Sequence, residues 1–356
     1  MRTPAKTIHR DTTATRAADS LDGALRHHSE GPTSLSPSAG DGQGSLPLAD
    51  FDFLDSEEFA VSELVGRALA QFEDIVIPTP QQMSSVRQMN ALRVMSLLQP
   101  EGQMRRGARY LHPSGAGKST CAKILKQHLA KKHGNDPERK SILHVTLSTT
   151  GTPKSLASSI LAEAGEEYAT RGEAELLLER VKVAIEEKKV ELIIIDELNH
   201  IKGKSLATEA GNTIKNIMTK GWAPVVLMGT SGAEPLVKNN WELKTRCLPQ
   251  VHLRPYIPES SQDLAHWKKL MDCIDEEMVK RSIIARHTGL AALGKILCEA
   301  SRGLIGEFHG IMMAALEAAL SEGDDSVSYD RLACAVDEWA LKDDSIDSNP
   351  FREETK

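Results

Sequence analysis

The sequence has few aromatic residues and few cysteines, and it lacks a long apolar run. Phe, Trp and Tyr make up 4% of its 356 residues, so the core must be built mainly from aliphatic side chains. The five cysteines are scattered without a C-x-x-C pair, which argues against a zinc site or a disulfide framework and favours a reducing compartment. There is no run of about 18 apolar residues and no apolar N-terminal signal core, so we expect a cytoplasmic protein without a membrane partner.

Positive charge is also scarce. The chain carries 43 Lys and Arg against 50 Asp and Glu, a formal net charge of −7. Binding of nucleic acid would therefore depend on a local basic face rather than on overall charge. One such face is predicted between Lys202 and Arg246, where basic residues outnumber acidic ones. A solvated helix face gives the same pattern.

The composition divides the chain into four parts. Residues 1–55 are rich in Ser, Thr, Gly, Ala, Pro and Asp, which predicts a disordered arm. Residues 56–257 begin with two helical patterns and then alternate strands with helices, which predicts a parallel sheet covered on both faces; Gln250–Tyr256 is the predicted last strand. Residues 258–340 have only helical patterns, and the polar segment 341–356 predicts a mobile tail.

The most informative motif is "LHPSGAGKST", which runs from Leu111 to Thr120 between a predicted strand and a predicted helix. It matches the phosphate-binding P-loop G-x-x-x-x-G-K-[ST], except that His112 replaces the first glycine. Backbone N–H groups at the start of a helix favour anions, and a lysine there reaches the β- and γ-phosphates. The predicted nucleotide-binding residues of the loop are Ser114, Gly115, Ala116, Gly117, Lys118, Ser119 and Thr120.

A second motif, "LIIIDE", is an apolar strand that ends in two carboxylates. Together with the Ser119 hydroxyl, Asp196 is predicted to hold Mg²⁺ and so to contribute to the nucleotide site. Glu197 is the predicted general base that polarises the attacking water. The pair of motifs therefore predicts an ATPase that uses ATP and Mg²⁺.

Two more polar residues are candidates for catalysis. Thr230 ends the strand "VVLMGT" and could orient the attacking water, although Thr is also common at strand ends without such a role. Arg246 lies in "NNWELKTRC" and could reach the γ-phosphate held by a neighbouring subunit. An ordinary surface arginine would show the same sequence pattern.

Together, these segments resemble AAA+ P-loop ATPases, and more narrowly the TniB/TnsC/MuB-type transposition regulators. The resemblance spans roughly Ile75 to Arg352 and rests on "IPTP", "HPSGAGKST", "HVTLSTTGTPKSLASSILAEAG", "LIIIDELNHI", "VVLMGTSGAEPLVKNNWELKTRC" and the terminal "NPF". It implies an α/β AAA+ core with a C-terminal helical lid, in residues 258–340. It also implies a homo-oligomer, a ring or a helical filament, that assembles on double-stranded DNA, recruits a transposase and receives instruction from a TniQ-type target selector.

The resemblance assigns further roles and exposes two departures. In assemblies of this kind the region after the acidic strand tends to face DNA, so Lys204 and Lys215 are the predicted DNA contacts. The first departure is His112, and the second is Gly306, which stands where many AAA+ lids carry a second sensor arginine. Slow hydrolysis would be consistent with that second departure.

Other functions share the same motifs. An ATPase of signalling, defence or secretion (ExeA-like) has a similar core, and so does a nucleotide-gated scaffold with little turnover.

The aromatic of the terminal "NPF" predicts a docking peptide for the transposase or for the next subunit, but a frayed terminus can carry an incidental Phe.

Overall fold

The computed structural model describes residues 57–134, 136–147, 152–201, 204–238, 240–342 and 345–353, with the side chains of 57, 58 and 204 left out. The predicted disordered arm, residues 1–55, lies outside them. Within the described part, four parallel strands form one sheet in the order β1-β4-β3-β2. The predicted parallel α/β core is confirmed.

The first four predicted strands follow each other along the chain in the predicted order. The strands are β1 (Gly107–Leu111), β2 (Ile142–Thr146), β3 (Leu192–Asp196) and β4 (Val225–Gly229). The helices are α1 (Glu57–Glu73), α2 (Pro80–Leu98), α3 (Lys118–Lys132), α4 (Pro153–Ala164), α5 (Ala174–Glu187), α6 (Lys204–Thr219), α7 (Glu234–Lys238), α8 (Trp241–Arg246), α9 (Ser261–Lys280), α10 (Gly294–Ala300), α11 (Ile305–Ser321) and α12 (Tyr329–Val336). Short 3₁₀ turns follow β3 and β4, and a π-helical turn follows α12.

The sheet is covered on both faces because its central strands are apolar throughout. In β3, Leu192 and Ile194 pack with α2 and α3 on one face. Ile193 and Ile195 pack with α4, α5 and α6 on the other face. This alternation explains why the strand has an unbroken apolar run and ends in acidic residues only where it leaves the core.

The segment "IPTP" sets the start of α2. Thr79 accepts a hydrogen bond from the N–H of Gln82, and the Gln82 side chain accepts one from the N–H of Thr79, which together form a capping box. Pro80 occupies the first helical turn, where its missing N–H costs nothing. The break predicted between the first two helices is therefore built by local capping.

The last helices form a second apolar cluster, apart from the sheet. It is centred on Trp267, whose indole lies 5.4 Å from the Tyr256 ring and 5.8 Å from the Phe308 ring, measured between centroids. Phe72 at the end of α1 belongs to this cluster. The helix that opens the described chain therefore packs with the helical lid rather than with the sheet.

The C-terminal segment corrects the expectation of a mobile tail. Phe351 is only 4% exposed and lies in the lid cluster, with its ring 5.0 Å from that of Tyr329. Asn349 is also buried, and its amide donates to the carbonyl of Ala333. Composition could not predict this, because one aromatic side chain with a matching pocket is enough to dock a polar segment.

The predicted last strand is also corrected. Residues 250–256, all of them described, form no strand. The chain makes a single parallel bridge between Gly107 and Cys247 and then leaves the sheet. The segment is held instead by side chains, as described below for His112.

Among the described residues, no single helix is long and apolar enough to cross a membrane. The pair α10 and α11 reaches that length and apolarity only when taken together, and the two helices are bent by 105° at their junction.

Candidate functional site

The P-loop lies between β1 and α3. Gly115 and Gly117 have φ angles of +74° and +84°, in the left-handed region that favours glycine. A Cβ at position 117 would also lie 2.3 Å from the Nε2 atom of Gln82, so a larger residue there would displace the Gln82 side chain. Ala116, between the two glycines, is buried under the loop. The loop backbone is thus free to approach a ligand from its open side.

Lys118 is buried beneath this loop, with 8% of its surface exposed. Its Nζ atom donates hydrogen bonds to the carbonyl oxygens of His112 (2.9 Å) and Pro113 (2.7 Å). Burial lowers the pKa of the ammonium group, and the nearby carboxylates of Asp196 and Glu197 act in the opposite direction. The cation is held by neutral carbonyls that a phosphate group can replace as its partner.

The predicted metal-binding residues are brought together. The Ser119 hydroxyl donates to Asp196 Oδ2 at 2.8 Å, which joins the start of α3 to the end of β3. Asp196 is almost fully buried. Burial alone would raise the pKa of its carboxyl, but hydrogen bonds from His144, Ser119 and the Glu197 N–H outweigh that effect and lower the pKa. The carboxylate therefore stays ionised.

The donor set fits Mg²⁺ with nucleotide phosphates. Mg²⁺ prefers oxygen ligands and commonly takes one or two from protein, with phosphates and water completing its shell. Ser119 and Asp196 offer two such oxygens beside the phosphate-binding loop. Among the described residues, no group of three or more His, Cys, Asp or Glu is arranged to hold a metal ion.

Glu197 lies at the cavity wall in a strained backbone conformation, with a φ of +58°. Its carboxylate accepts a hydrogen bond from the Asn199 amide at 3.1 Å. The side-chain oxygen of Asn199 in turn accepts from the N–H of Thr230 at 3.3 Å. Asn199, which sequence reasoning did not single out, thus connects the predicted base to the end of β4.

One cavity of about 340 Å³ is lined by both the P-loop and the predicted base, Glu197. Of the predicted residues, it is lined by Ser114, Gly115, Gly117, Lys118, Ser119, Thr120 and Glu197. Its other wall is apolar and comes from α1, the residues before α2 and the lid. There, His309 stacks on Phe72 with 4.9 Å between ring centroids, and burial lowers the pKa of the histidine. Glu73 also lines this wall, but the wall's apolar side chains and the two stacked rings beside a phosphate loop suit a nucleobase.

Sequence reasoning missed that apolar wall. Phe72 and Ile77 are far from His309 in the sequence, and no nucleotide-binding motif includes any of the three. The helical pattern around them predicted only that they would be buried. The signal that could have pointed to them is the "IVIP" segment, which follows a helix and precedes the P-loop.

The lid contacts the P-loop directly at the start of α11. The N–H of Gly306 donates to the carbonyl of Gly115 at 2.9 Å. A Cβ at position 306 would lie 2.5 Å from the Cα of Gly115. Arg302, the nearest arginine, pairs with Glu307 at 2.9 Å and is not among the residues that line the cavity. Of the lid residues at the cavity, none that the structure describes is a cation.

His112 shows how the missing P-loop glycine is accommodated. Among described non-glycine residues, only Lys189, Glu197, Ser282 and Arg302 have left-handed φ angles, so position 112 does not require glycine. The His112 ring is buried and its Nε2 atom lies 2.9 Å from the carbonyl oxygen of Val251, to which it must donate. The histidine therefore fastens the loop entrance to the segment that replaces the predicted last strand.

The two remaining catalytic candidates lie outside the cavity lining. Thr230 follows β4 and contacts the base only through Asn199. Arg246 ends α8 and has 17% of its side chain exposed, with its Nη1 atom 3.5 Å from the Glu242 carboxylate. Its Nε atom is buried and has no hydrogen-bond partner. An arginine so placed does not reach the nucleotide site of its own chain.

The predicted DNA contacts are only partly described. The Lys204 side chain lies outside the described residues. Lys215 is 23% exposed, and its Nζ atom lies 2.9 Å from the same Glu242 carboxylate that pairs with Arg246. Both contacts lower the pKa of Glu242, with the larger effect from Lys215. Lys215 is therefore a paired cation rather than a free one.

Comparison with known proteins agrees with this geometry. Residues 113–237 match the family model of the AAA domain. No curated protein matches the chain.

Several solved structures share the fold. The ORC2 protein of Aeropyrum pernix, in ADPNP and ADP complexes, aligns with a TM-score of 0.55 and 15% identity, over 75% of this chain and 71% of that one. Cdc6p of Pyrobaculum aerophilum aligns with a TM-score of 0.55 and 12% identity, over 76% and 70%. Drosophila ORC bound to DNA aligns with a TM-score of 0.51 and 14% identity, over 85% and 70%. The described chain therefore has the fold of the AAA+ P-loop ATPases, and its residues 113–237 are similar to the AAA domain.

Proposed function

We propose that this protein is an AAA+ ATPase that binds ATP with Mg²⁺ and couples its nucleotide state to binding of double-stranded DNA. The observation that carries the ATPase proposal is that Lys118, Ser119 and Glu197 line one cavity and that Asp196 accepts a hydrogen bond from Ser119 beside it. These side chains come from the start of α3, which follows β1, and from the carboxyl end of β3, at the edge of the parallel sheet where ligands of such folds bind.

Each residue has a defined part in the proposed reaction. The loop N–H groups and Lys118 bind the phosphates. Ser119 with Asp196 would hold the Mg²⁺, which would supply positive charge beside the transferred phosphoryl group. Glu197 lines the same cavity as the loop and accepts a proton from the attacking water. Arg246 acts on the site of a neighbouring subunit, and Thr230 orients the water.

The DNA part of the proposal rests on the basic region after β3 and on the fold. The Drosophila relative is described as bound to DNA. In this chain, Lys204 and Lys215 are the proposed phosphate contacts. Glu242 forms ion pairs with both Lys215 and Arg246. If DNA phosphates bind Lys215 instead, Glu242 remains paired with Arg246 alone. Binding should be steeply salt-dependent and indifferent to sequence.

At a finer level, we propose a regulator of DNA transposition that assembles as a homo-oligomer on target DNA and recruits a transposase, under a TniQ-type selector. The support is the resemblance carried by "GTPKSL", "GT…ELKTR" and the terminal "NPF". A strand-transfer assay with a candidate transposase, with and without this protein, tests it. Equal integration in both arms would reject the transposition role and leave the ATPase role intact.

The ATPase proposal is tested by turnover and nucleotide binding, each with and without duplex DNA. Lys118→Ala should abolish ATP binding, because the phosphates lose their buried cation, whereas Lys132→Ala at the far end of α3 should not.

Glu197→Gln should bind ATP but lose turnover, because an amide cannot take a proton, and Glu179→Gln on α5 is the matched control. Undiminished turnover in Glu197→Gln would remove Glu197 as the base.

A second candidate function is a nucleotide-gated scaffold with little turnover. It is favoured by Gly306, which meets the P-loop through its backbone where a lid arginine would otherwise act. In that case ATP should still be required for DNA binding, and Glu197→Gln should leave DNA binding and assembly unchanged. Loss of the DNA complex on hydrolysis would favour the ATPase cycle instead.

A further inference from the structure

One side chain beside the proposed metal site has no role in either sequence motif. His144 is the third residue of β2, and it lies opposite Ile194 in the parallel register with β3. Asp196 is two residues farther along β3, on the same face as Ile194. His144 and Asp196 are therefore diagonal neighbours on one face of the sheet, close to the start of α3.

The contact between them is direct. The Nε2 atom of His144 lies 3.1 Å from Asp196 Oδ2. An ionised carboxylate has lone pairs but no proton, so Nε2 must carry the hydrogen and donate it. The Asp196 side chain is 5% exposed and the His144 side chain is 22% exposed, so the hydrogen bond is largely shielded from water.

Three groups hold the Asp196 carboxylate, and they differ in what else they do. The Glu197 N–H donates to Oδ1 at 2.9 Å and belongs to the main chain. The Ser119 hydroxyl donates to Oδ2 at 2.8 Å, but Ser119 is itself a proposed metal ligand. His144 is the side chain that can keep its bond to Asp196 whether or not Ser119 turns towards a metal. Partners of this kind orient ligating carboxylates and tune their affinity for metal.

We propose that His144 is a positioning residue that fixes the Asp196 carboxylate for Mg²⁺ bound with nucleotide. The proposal rests on the proposed function, because Asp196 is a metal ligand only if the chain binds a metal–nucleotide complex. His144 does not touch the nucleotide or the metal. It restricts the rotation of the carboxylate, and the lone pair of Oδ2 that accepts from Ser119 becomes available to the metal when the Ser119 hydroxyl turns away.

The test measures metal affinity rather than turnover. Mn²⁺, as a spectroscopic substitute for Mg²⁺, is titrated into the full chain with a non-hydrolysable ATP analogue, and bound metal is followed by electron paramagnetic resonance. Nucleotide affinity is measured in parallel in excess EDTA, and urea unfolding monitors stability. His144→Ala should raise the apparent Kd for Mn²⁺ by about 10- to 100-fold and leave metal-free nucleotide affinity unchanged.

Two conservative variants separate positioning from packing. The side-chain amide nitrogen of Gln reaches as far as Nε2 of histidine, whereas that of Asn reaches only as far as Nδ1. His144→Gln should therefore restore metal affinity to near the parent value, and His144→Asn should behave like His144→Ala. Parent-like metal affinity in His144→Ala, or equal loss in all three variants, would overturn the proposal. If the parent chain shows no metal-dependent nucleotide binding, the proposed function fails and this proposal fails with it.

Discussion

His112 explains how the loop tolerates its departure from the P-loop pattern. The glycines that the loop needs are at 115 and 117, where φ is positive, whereas position 112 has an ordinary backbone. The imidazole found there is used as a fastener, since its Nε2 atom donates to the Val251 carbonyl. Burial lowers the pKa of His112, so the ring is neutral at pH 7 and makes this bond without burying a charge.

His112→Gly restores the common motif but should weaken the fold. It removes a buried ring and leaves the Val251 carbonyl without its donor, which costs about 1–3 kcal/mol. Urea unfolding should show that loss, while ATP affinity should change less than tenfold, because the phosphate contacts come from later loop residues. His112→Gln, which keeps an amide donor, should be less affected. Parent-like stability of His112→Gly would show that the hydrogen bond to Val251 contributes nothing.

Contacts between elements determine how the lid meets the core. Gly306, at the start of α11, binds the Gly115 carbonyl through its N–H, so lid and P-loop touch backbone to backbone. No side chain fits between them, since a Cβ on residue 306 would lie 2.5 Å from the Gly115 Cα. The glycine at the second sensor position and this close contact are therefore one structural feature.

Gly306→Ala should force α11 away from the P-loop and open the apolar wall that the lid contributes to the cavity. We expect ATP affinity to fall by about tenfold, equivalent to about 1.4 kcal/mol, as measured by equilibrium binding. Gly306→Arg should lower turnover rather than restore a second sensor. Gly66→Ala on α1 is the matched control, because nothing lies within 4 Å of a Cβ there. A gain of turnover in Gly306→Arg would contradict this account.

The C-terminal segment acts as part of the lid in the structure. The Tyr329 hydroxyl donates to the Phe351 carbonyl at 3.0 Å, and the Phe351 N–H donates to the Asn349 side chain at 2.9 Å. The terminal "NPF" is thus folded back on α12. Its proposed docking to a transposase would require that contact to open.

Phe351→Ala should destabilise the lid by about 3 kcal/mol, because a buried ring is lost and a cavity remains. Urea unfolding of the full chain measures this, with Glu353→Gln as an exposed control. A free docking peptide would give the opposite result, namely unchanged stability with weaker retention of a transposase in a pull-down. That outcome would restore the interpretation of residues 341–356 as a tail.

Assembly is the property that a single chain cannot display. Arg246 does not line the cavity of its own chain, and its guanidinium is held near Glu242. If it acts on a neighbour, the complete site contains residues of two subunits. The chain would then need its oligomer for turnover but not for ATP binding.

Arg246→Ala should therefore keep ATP binding and lose turnover. Mixed with Lys118→Ala subunits, it should regain part of the activity, because some interfaces then pair an intact loop with an intact arginine. Steady-state turnover across mixing ratios is the measurement, with co-assembly verified by light scattering. If mixed oligomers form but show no turnover at any mixing ratio, that result would count against a site shared between subunits.

Short-range signals determined the phosphate half of the site. The P-loop lies within ten consecutive residues and the acidic pair follows an apolar strand, so sequence spacing alone predicts the loop, the carboxylates and their meeting at one sheet edge. The parallel sheet was predictable for the same reason, since each strand and helix carries its own apolar period.

Only the tertiary structure decided the other half. His144 and Asp196 meet because β2 and β3 pair in one register, and the apolar wall forms because α1 and α11 fold over the loop. The burial of Phe351 and the failure of residues 250–256 to form a strand likewise depend on partners distant in the chain. Packing against such partners outweighs local propensity, and a single sequence does not reveal it.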